Sequence, residues 1–189
     1  LDSEKLTKRN IHQLKEMNGI LVPGGFGDRG IEGKILAAEY ARVNNIPYFG
    51  ICLGMQISVI EFARNVMKLN KANSTEFDKD TKNPVVALVE EWREDSGKRI
   101  FANMENMGGT MRLGSQECIL TKGSLAYKMY SKTSIKERHR HRYEVNGNLV
   151  GDFEKKGLAF SGQSKEGNLM EMIELKNHSW YVGCQFHPE

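Results

Sequence analysis

One cysteine in this sequence has neighbours that suit nucleophilic chemistry. Cys52 lies in the middle of Gly50-Ile51-Cys52-Leu53-Gly54, a pattern of two glycines flanking a nucleophile that is typical of a nucleophile elbow. In an elbow the glycines relieve crowding at a sharp turn between a strand and a helix, and the helix N-terminus favours a thiolate over a thiol. Free cysteines are more often small buried apolar residues, and we predict that role for Cys118 and Cys184 instead.

A histidine and a glutamate near the end of the sequence can supply the proton transfers that a thiolate nucleophile needs. They are two residues apart in His187-Pro188-Glu189. Such residues share a face of an extended segment, and Pro188 favours extension at His187, so Glu189 can hold one tautomer of the imidazole. We predict a catalytic triad of Cys52, His187 and Glu189, although the tripeptide alone is also typical of a surface turn.

Backbone N–H groups near the cysteine can stabilise the oxyanion that forms when a thiolate attacks an amide. The N–H of Leu53, directly after the nucleophile, is one candidate donor. The second is Gly25, in the loop Pro23-Gly24-Gly25-Phe26-Gly27. This loop follows a predicted strand, and open parallel sheets place their sites at the carboxyl ends of strands. The alternative for the loop is a simple glycine turn.

The elements that must position these residues alternate between strands and helices. The predicted strands are 20–22, 46–51, 85–89, 112–120 and 180–186. The predicted helices are 29–43, with a left-handed stop at Asn44-Asn45, and a segment with an apolar face from 59 to 67. The charged segment 90–105 is expected to leave the sheet. The order predicts a doubly wound α/β fold over residues 1–189, with a mostly parallel sheet and helices on both faces.

Composition favours an ordinary soluble domain and excludes several classes. Of the 189 residues 39% are hydrophobic and 27% are charged, as in one globular domain. A net charge of +3 is too small to indicate nucleic-acid binding by itself, and no apolar run is long enough for a membrane span. Three widely spaced cysteines fit no disulfide framework, so we expect a reducing, cytoplasmic setting. Because the sequence begins at Leu1 and stops at Glu189, we expect it to be truncated at both ends.

Three blocks together resemble the class I glutamine amidotransferases and occur in that family's order. They are Pro23-Gly24-Gly25, the elbow Gly50-Ile51-Cys52-Leu53-Gly54-Met55-Gln56, and the terminal Phe186-His187-Pro188-Glu189. Longer blocks resemble the glutaminase domains of CTP synthases in particular. These blocks are Asn73–Phe77, Gly108–Gly114 and Glu137–Asn146. The resemblance covers essentially the whole chain, although the family's domain also has N-terminal strands and a C-terminal tail that this sequence lacks.

The resemblance implies a set of residues that bind glutamine. The set is Gly25, Leu53, Gly54, Met55, Gln56, Glu76 and Arg142. Glutamine carries an ammonium and a carboxylate, so a pocket that selects it over a plain amide should offer one acid and one guanidinium. We expect Glu76 and Arg142 to be that pair. In isolation each would be an ordinary solvated surface charge.

The resemblance also implies the reaction and its partners. Cys52 would attack the glutamine amide, His187 would protonate the departing ammonia, and water would hydrolyse the thioester to glutamate. The ammonia would pass to a synthetase domain of the same polypeptide, where ATP and Mg²⁺ drive the amination of UTP to CTP. GTP would activate the enzyme, which would form a homotetramer through the synthetase domain, a domain that residues 1–189 do not include. Residues 1–189 themselves are expected to hold no cofactor and no metal, and to bind neither nucleic acid nor membrane.

Two other functions stay open at this point. The chain could be another class I amidotransferase, such as the glutaminase of GMP or carbamoyl-phosphate synthesis, but the Gly108–Gly114 and Arg138–Asn146 blocks argue against that. It could also be a non-catalytic interaction module with the same fold. Such a module would have no need of Cys52, His187 and Glu189 together.

The segment 138–142 alternates arginine with histidine and has two interpretations. If it is extended, His139 and His141 share a face and could form half of a metal site. We predict no metal, because the alternating arginines would repel a cation and no cysteine or carboxylate cluster accompanies the histidines. Arg138, Arg140 and Arg142 on the other face could meet the phosphates of a nucleotide or a neighbouring domain. Nucleic acid is disfavoured because no aromatic residues are interleaved.

Overall fold

The computed structural model describes residues 1–88 and 111–189, and within them the chain forms ten strands and four α-helices. The strands are β1 (Ile20–Val22), β2 (Tyr48–Ile51), β3 (Asn73–Ser74), β4 (Pro84–Leu88), β5 (Arg112–Leu120), β6 (Ser134–His141), β7 (Tyr143–Val145), β8 (Leu158–Ser164), β9 (Met170–Leu175) and β10 (Tyr181–Cys184). The helices are α1 (Ile31–Asn44), α2 (Leu53–Asn65), α3 (Leu125–Tyr130) and α4 (Val150–Lys155), with short 3₁₀ turns at Ile11–Glu16 and Gly147–Leu149.

Seven strands form one sheet in the order β1-β2-β10-β9-β8-β5-β6. β1, β2 and β10 are parallel, whereas β9, β8, β5 and β6 are added antiparallel. The predicted α/β class is confirmed, but the prediction of a mostly parallel sheet is wrong for the described strands. The connection between β8 and β9, residues 165–169, shows one reason: it is too short for the crossover that a parallel pair needs.

Helices lie on both faces of this sheet, as predicted. On one face α1, α2 and α4 pack over a core that contains Tyr48 and Phe153, and on the other α3 contributes Ala126 to a core that contains Ile51. Phe49 packs against the second core as well, so the successive residues Tyr48 and Phe49 of β2 point to opposite cores, as the pleat of a strand requires. Within the described ranges, none of the helices combines the length and the apolar character that crossing a bilayer would demand.

The local predictions are most accurate in the parallel half of the sheet. The strand predicted over 20–22 is β1, and α1 ends at Asn44 and is capped by Asn45, whose φ of 55° is left-handed as predicted. The strand predicted over 112–120 is β5. Val89 and the charged segment 90–105 lie outside the described residues. Strands β8 and β9 have no counterpart among the predicted strands. An extended conformation of segment 138–142 is only an option from the sequence, and residues 138–141 adopt it as part of β6.

The sheet curls so that β6 meets the segment that follows β10. The backbone N–H of His187 donates to the carbonyl of Arg138 at 2.7 Å, which makes an isolated antiparallel bridge. Since β10 is the third strand of the sheet and β6 is the seventh, only a curled sheet permits this contact. The bridge ties the segment that follows β10 to β6.

Candidate active site

Cys52 occupies a sharp turn between β2 and α2. Its φ of 51° and ψ of −103° are rare for a residue with a Cβ, and such backbone strain costs on the order of 1–3 kcal/mol. The surrounding hydrogen bonds hold it there: the Cys52 N–H donates to Cys184 O at 2.7 Å, and Met55 N–H donates to Cys52 O at 3.1 Å. The turn is therefore an elbow that places the side chain above the end of the parallel strands.

Both flanking glycines are required by close backbone contacts. A Cβ on Gly50 would lie 2.5 Å from the carbonyl oxygen of Gly54, and a Cβ on Gly54 would collide with the carbonyl of Val22. The pattern in the sequence thus has a steric cause that acts on both sides of Cys52. It brings α2 close to β1 and β2, and thereby fixes the start of the helix below the nucleophile.

The cysteine thiol is buried, with 2% of the residue exposed. Burial raises the pKa of Cys52 to about 12, and the carboxylates of Glu144 and Glu76, where ionised, add to the effect. Hydrogen bonding from the Leu53 backbone and from the Gln185 amide, whose Nε2 lies 3.7 Å from Sγ, lowers it only in part. The expectation that the helix N-terminus favours a thiolate is therefore outweighed by desolvation in the free protein. A base must take the proton when the sulfur attacks.

His187 is oriented by Glu189. The Nδ1 atom of His187 lies 2.8 Å from Glu189 Oε1. A carboxylate accepts, so Nδ1 carries the proton and Nε2 is left as the basic nitrogen. The hydrogen bond from His187, with help from Arg138 at 3.9 Å, lowers the pKa of Glu189, which stays ionised at neutral pH. The predicted spacing argument holds, since the two side chains share one side of the segment.

The imidazole of His187 and the side chain of Cys52 meet beside Gly24. A Cβ on this glycine would lie 2.7 Å from His187 Cε1 and 3.6 Å from Cys52 Cβ, so both side chains approach the same point. The neighbouring Gly25 is equally close to the elbow, since its Cβ would lie 3.2 Å from Leu53 Cδ2. Leu53 is the first residue of α2, and the first N–H groups of a helix have no intrahelical acceptor. The structure therefore brings Gly25 close to Leu53, the two residues predicted to supply the oxyanion donors, and Cys52 and His187 of the predicted triad close to Gly24.

A cleft at the end of the glycine loop, where Phe26 lines it, contains the predicted recognition pair. Glu76 and Arg142 both line it, together with Phe26 and Arg140, and its volume is about 410 Å³. Glu76 Oε1 accepts from the N–H of Gly27 at 2.8 Å, which ties the glycine loop to this acid. Burial raises the pKa of Glu76, while this hydrogen bond and the charge of Arg142 act in the opposite direction. One acid and one guanidinium thus face a common space.

The remaining residues that the resemblance implies do not all reach this cleft. The side chain of Met55 is fully buried and lies against Gly183 of β10 in the core. The carbonyl of Gly54 accepts from Tyr48 Oη at 2.9 Å. Gln56 is also buried, and its amide nitrogen is engaged with protein groups. Side-chain contact between Met55 and a ligand is therefore not supported.

A buried charged cluster that the sequence did not reveal fills the curl of the sheet. Arg112 pairs with Glu144 at 3.0 Å and with Glu171 at 2.8 Å, and both carboxylates are fully buried. His139 Nδ1 lies 2.9 Å from His141 Nε2, and both rings are buried beside these acids. These residues come from four different strands, so no local pattern could have grouped them.

The two histidines do have a carboxylate neighbour, contrary to the expectation from sequence. Within residues 1–88 and 111–189, His139, His141 and Glu171 are the one group able to direct three ligand atoms at an ion. Arg140 is exposed on the opposite face of β6, so its charge points away from this buried group. Arg112 opposes a cation there, because its guanidinium already neutralises Glu171 and would lie beside any bound ion. The absence of a metal from this domain stays a prediction.

An α/β sheet with a cysteine at a strand-to-helix elbow and a histidine–glutamate pair above it defines the class of this protein. The model of the class I glutamine amidotransferase family matches residues 2–189, and the chain belongs to that family. The resemblance found in the three sequence blocks is therefore confirmed.

Among solved structures, the chain is similar to the glutaminase domain of Trypanosoma brucei CTP synthase with bound acivicin. The two are 40% identical with a TM-score of 0.86, and the match covers 100% of this chain and 71% of that chain. A proposed GMP synthase component from Thermoplasma acidophilum is 15% identical, with a TM-score of 0.60 and 98% and 68% of the chains covered. A glutamine amidotransferase from Thermotoga maritima is 14% identical, with a TM-score of 0.53 and coverage of 92% and 57%. The last two share the fold.

Proposed function

We propose that this chain hydrolyses L-glutamine to glutamate and ammonia, with Cys52 as the nucleophile, His187 as acid and base, and Glu189 as the carboxylate that orients the imidazole. One observation carries this proposal: the Cys52 elbow and the His187–Glu189 pair approach the same point beside Gly24. Nucleophile, base and orienting group are the three parts that covalent catalysis of amide hydrolysis requires.

The reaction follows from the protonation states of these groups. As Cys52 Sγ attacks the amide carbon of glutamine, its proton passes to His187 Nε2, because the buried thiol does not ionise alone. The N–H groups of Leu53 and Gly25 receive the oxyanion. The carbon–nitrogen bond then breaks as His187 returns the proton to the leaving ammonia, and a thioester remains. Water, deprotonated by His187, hydrolyses the thioester to glutamate and frees the thiol.

Glutamine would lie in the cleft with its ammonium on Glu76 and its carboxylate on Arg142. The cleft charges support this orientation, because a partly buried acid and a guanidinium at one site select a zwitterion over a plain amide. Acivicin is a glutamine analogue, and the Trypanosoma brucei relative was solved with it bound. The match with that relative covers 100% of this chain, which supports a glutamine site here.

We further propose that the ammonia serves CTP synthesis. The match of 40% identity over the whole chain is to a CTP synthase glutaminase domain, whereas the likeness to the GMP synthase component is 15%. Of the blocks that suggested this function, Asn73–Phe77 and Glu137–Asn146 include the two cleft charges, and Gly108–Thr110 lie outside the described residues. A synthetase domain of the same polypeptide would use ATP and Mg²⁺ to aminate UTP, with GTP as activator, in a cytoplasmic homotetramer.

Two measurements test the glutaminase proposal. Glutamate release should be lost in Cys52→Ala and retained in Cys118→Ala, a matched control because Cys118 is also a buried free cysteine. A glutamine-like electrophile should label Cys52 alone, as read by peptide mass spectrometry, and excess glutamine should block the labelling. Equal labelling of all three cysteines, or glutamate release that survives Cys52→Ala, would contradict the proposal.

The CTP step needs a separate test in the full polypeptide that carries the synthetase domain. Glutamine with a ¹⁵N-labelled amide should yield CTP labelled at its exocyclic amine. Cys52→Ala should abolish that product, and added ammonium should restore CTP synthesis without glutamine. A product other than CTP would assign the domain to a different amidotransferase.

A further inference from the structure

Gln185 lies between the nucleophile Cys52 and the buried side-chain amide of Gln56. Its side chain is fully buried, with Nε2 3.7 Å from Cys52 Sγ, and its Oε1 accepts from Gln56 Nε2 at 3.2 Å. Gln56 Nε2 also donates to the backbone carbonyl of Tyr143 at 3.0 Å. The backbone N–H of Gln185 donates to Glu171 O at 2.8 Å. Side chain and backbone of Gln185 are thus held independently.

The Tyr143 carbonyl determines which end of each amide faces its neighbour. A carbonyl can only accept, so Gln56 must present its NH₂ group to it. The same NH₂ group also faces Gln185, so the amide oxygen of Gln185 must be the acceptor. The NH₂ group of Gln185 is then oriented toward the sulfur of Cys52. A backbone group on β7 therefore ensures that the nucleophile meets a donor and not an acceptor.

We propose that Gln185 is a positioning residue that holds the sulfur of Cys52 at the elbow and favours its negative form during attack. This inference rests on the proposed function, in which Cys52 is the nucleophile. Desolvation and the nearby acids Glu144 and Glu76 oppose a thiolate, and the Gln185 amide is one of the groups that act against them. Because other contacts already orient that amide, it needs no rearrangement as charge develops on the sulfur.

The position of Gln185 in the chain supports this role. Gln185 and His187 are two residues apart on the segment that follows β10, and Gly24 and the elbow lie beside that segment. The side chains of Gln185 and His187 therefore approach Cys52 from one short piece of backbone, which the Arg138–His187 bridge holds in place. One segment would supply both the base and a donor to the sulfur.

Two substitutions separate donation from simple filling of space. Gln185→Glu keeps the shape but replaces the NH₂ group with a second oxygen, and Gln185→Met keeps the length without any donor. The readout is the rate of Cys52 alkylation by iodoacetamide at pH 8, measured on the whole chain by peptide mass spectrometry, together with kcat and KM for glutamine. Gln163→Met, on β8, is the matched control, and Cys118 and Cys184 in the same digests report any opening of the fold.

We expect Cys52 alkylation to slow about tenfold in Gln185→Met and further in Gln185→Glu, since a lost hydrogen bond to a charged group is worth about one pKa unit or more. The kcat should fall by about the same factor with KM nearly unchanged, and Gln163→Met should match the wild type. Wild-type rates at Cys52 in both Gln185 variants would overturn the proposal. Faster labelling of all three cysteines in both variants would also overturn it, because Gln185 would then only support the fold.

The alkylation rate needs no turnover, so it distinguishes this inference from the proposed function. A wild-type chain that releases no glutamate, but whose Cys52 loses reactivity in both Gln185 variants, contradicts the proposed function and supports the inference. An active wild type with unchanged Gln185 variants supports the proposed function and refutes the inference.

Discussion

The ring of His187 lies in the space that a side chain on Gly24 would need, with Cε1 2.7 Å from the position of a Cβ on that glycine. Gly24→Ala should therefore push His187 away from Cys52. We expect kcat for glutamine hydrolysis to fall roughly 100-fold, within the usual contribution of a general acid–base group. Gly151→Ala is the control, because a Cβ on Gly151 meets nothing within 4 Å. Full activity in Gly24→Ala would show that His187 is not the base.

The hydrogen bond between His187 and Glu189 should govern the tautomer of the imidazole. Glu189→Gln retains the shape but presents an amide that can leave His187 with its proton on the wrong nitrogen, so we expect kcat to fall roughly 10- to 100-fold with KM little changed. Steady-state kinetics at pH 8 would measure this. The exposed Glu166→Gln serves as control. An unchanged kcat would remove Glu189 from the triad.

Recognition of glutamine should depend on the opposite charges of Glu76 and Arg142. Glu76→Gln can still accept from Gly27, so it removes charge alone, and Arg142→Met removes the guanidinium. We expect each to raise KM about 10-fold or more with a smaller change in kcat, since a charge-assisted hydrogen bond contributes about 1.5–3 kcal/mol.

Steady-state kinetics over a wide range of glutamine concentrations would measure both constants for these variants. Asp80→Asn, in the exposed loop after Glu76, should behave as wild type. A loss confined to kcat in Glu76→Gln and Arg142→Met would instead place these residues in the chemical step.

Glu144 should make the stability of the fold fall as pH rises from 4.5 through about 8. Burial raises its pKa from 4.5 to about 8, against the pull of Arg112, so the folded state keeps a proton that the unfolded state has lost. The stability from this group is complete below pH 4.5 and is lost as pH rises through 8. His139 and His141 have lowered pKa values and act in the opposite direction, but below pH 6.5.

Urea unfolding at about pH 7.0 and 8.5 isolates the Glu144 effect from those histidines. The wild-type midpoint should decrease over this interval, and Glu144→Gln, which is neutral at every pH, should show a smaller decrease. Glu154→Gln, on the exposed side of α4, should keep the wild-type dependence. Equal slopes in wild type and Glu144→Gln would mean that Glu144 is already charged in the folded protein at neutral pH.

Local patterns were enough to predict the parallel half of the fold and the elbow. The steric demands of Gly50, Cys52 and Gly54 are met within a few residues, and the strand and helix around them have clear apolar periodicity. Glu189 and His187 could likewise be paired from spacing alone. The cleft charges Glu76 and Arg142 were found through the resemblance to a family, because neither has a local signal.

The sequence by itself determined the chemical groups of this protein: a cysteine at an elbow, a histidine with its carboxylate, a glycine loop and the order of strand and helix around them. The tertiary structure alone decided how distant segments meet. The curl of the antiparallel strands places Arg138 against His187, encloses Arg112 with Glu171, and turns Gln185 toward Cys52. The physical reason is range: strand order and burial depend on the packing of the whole chain, whereas backbone sterics and periodicity act within a few residues.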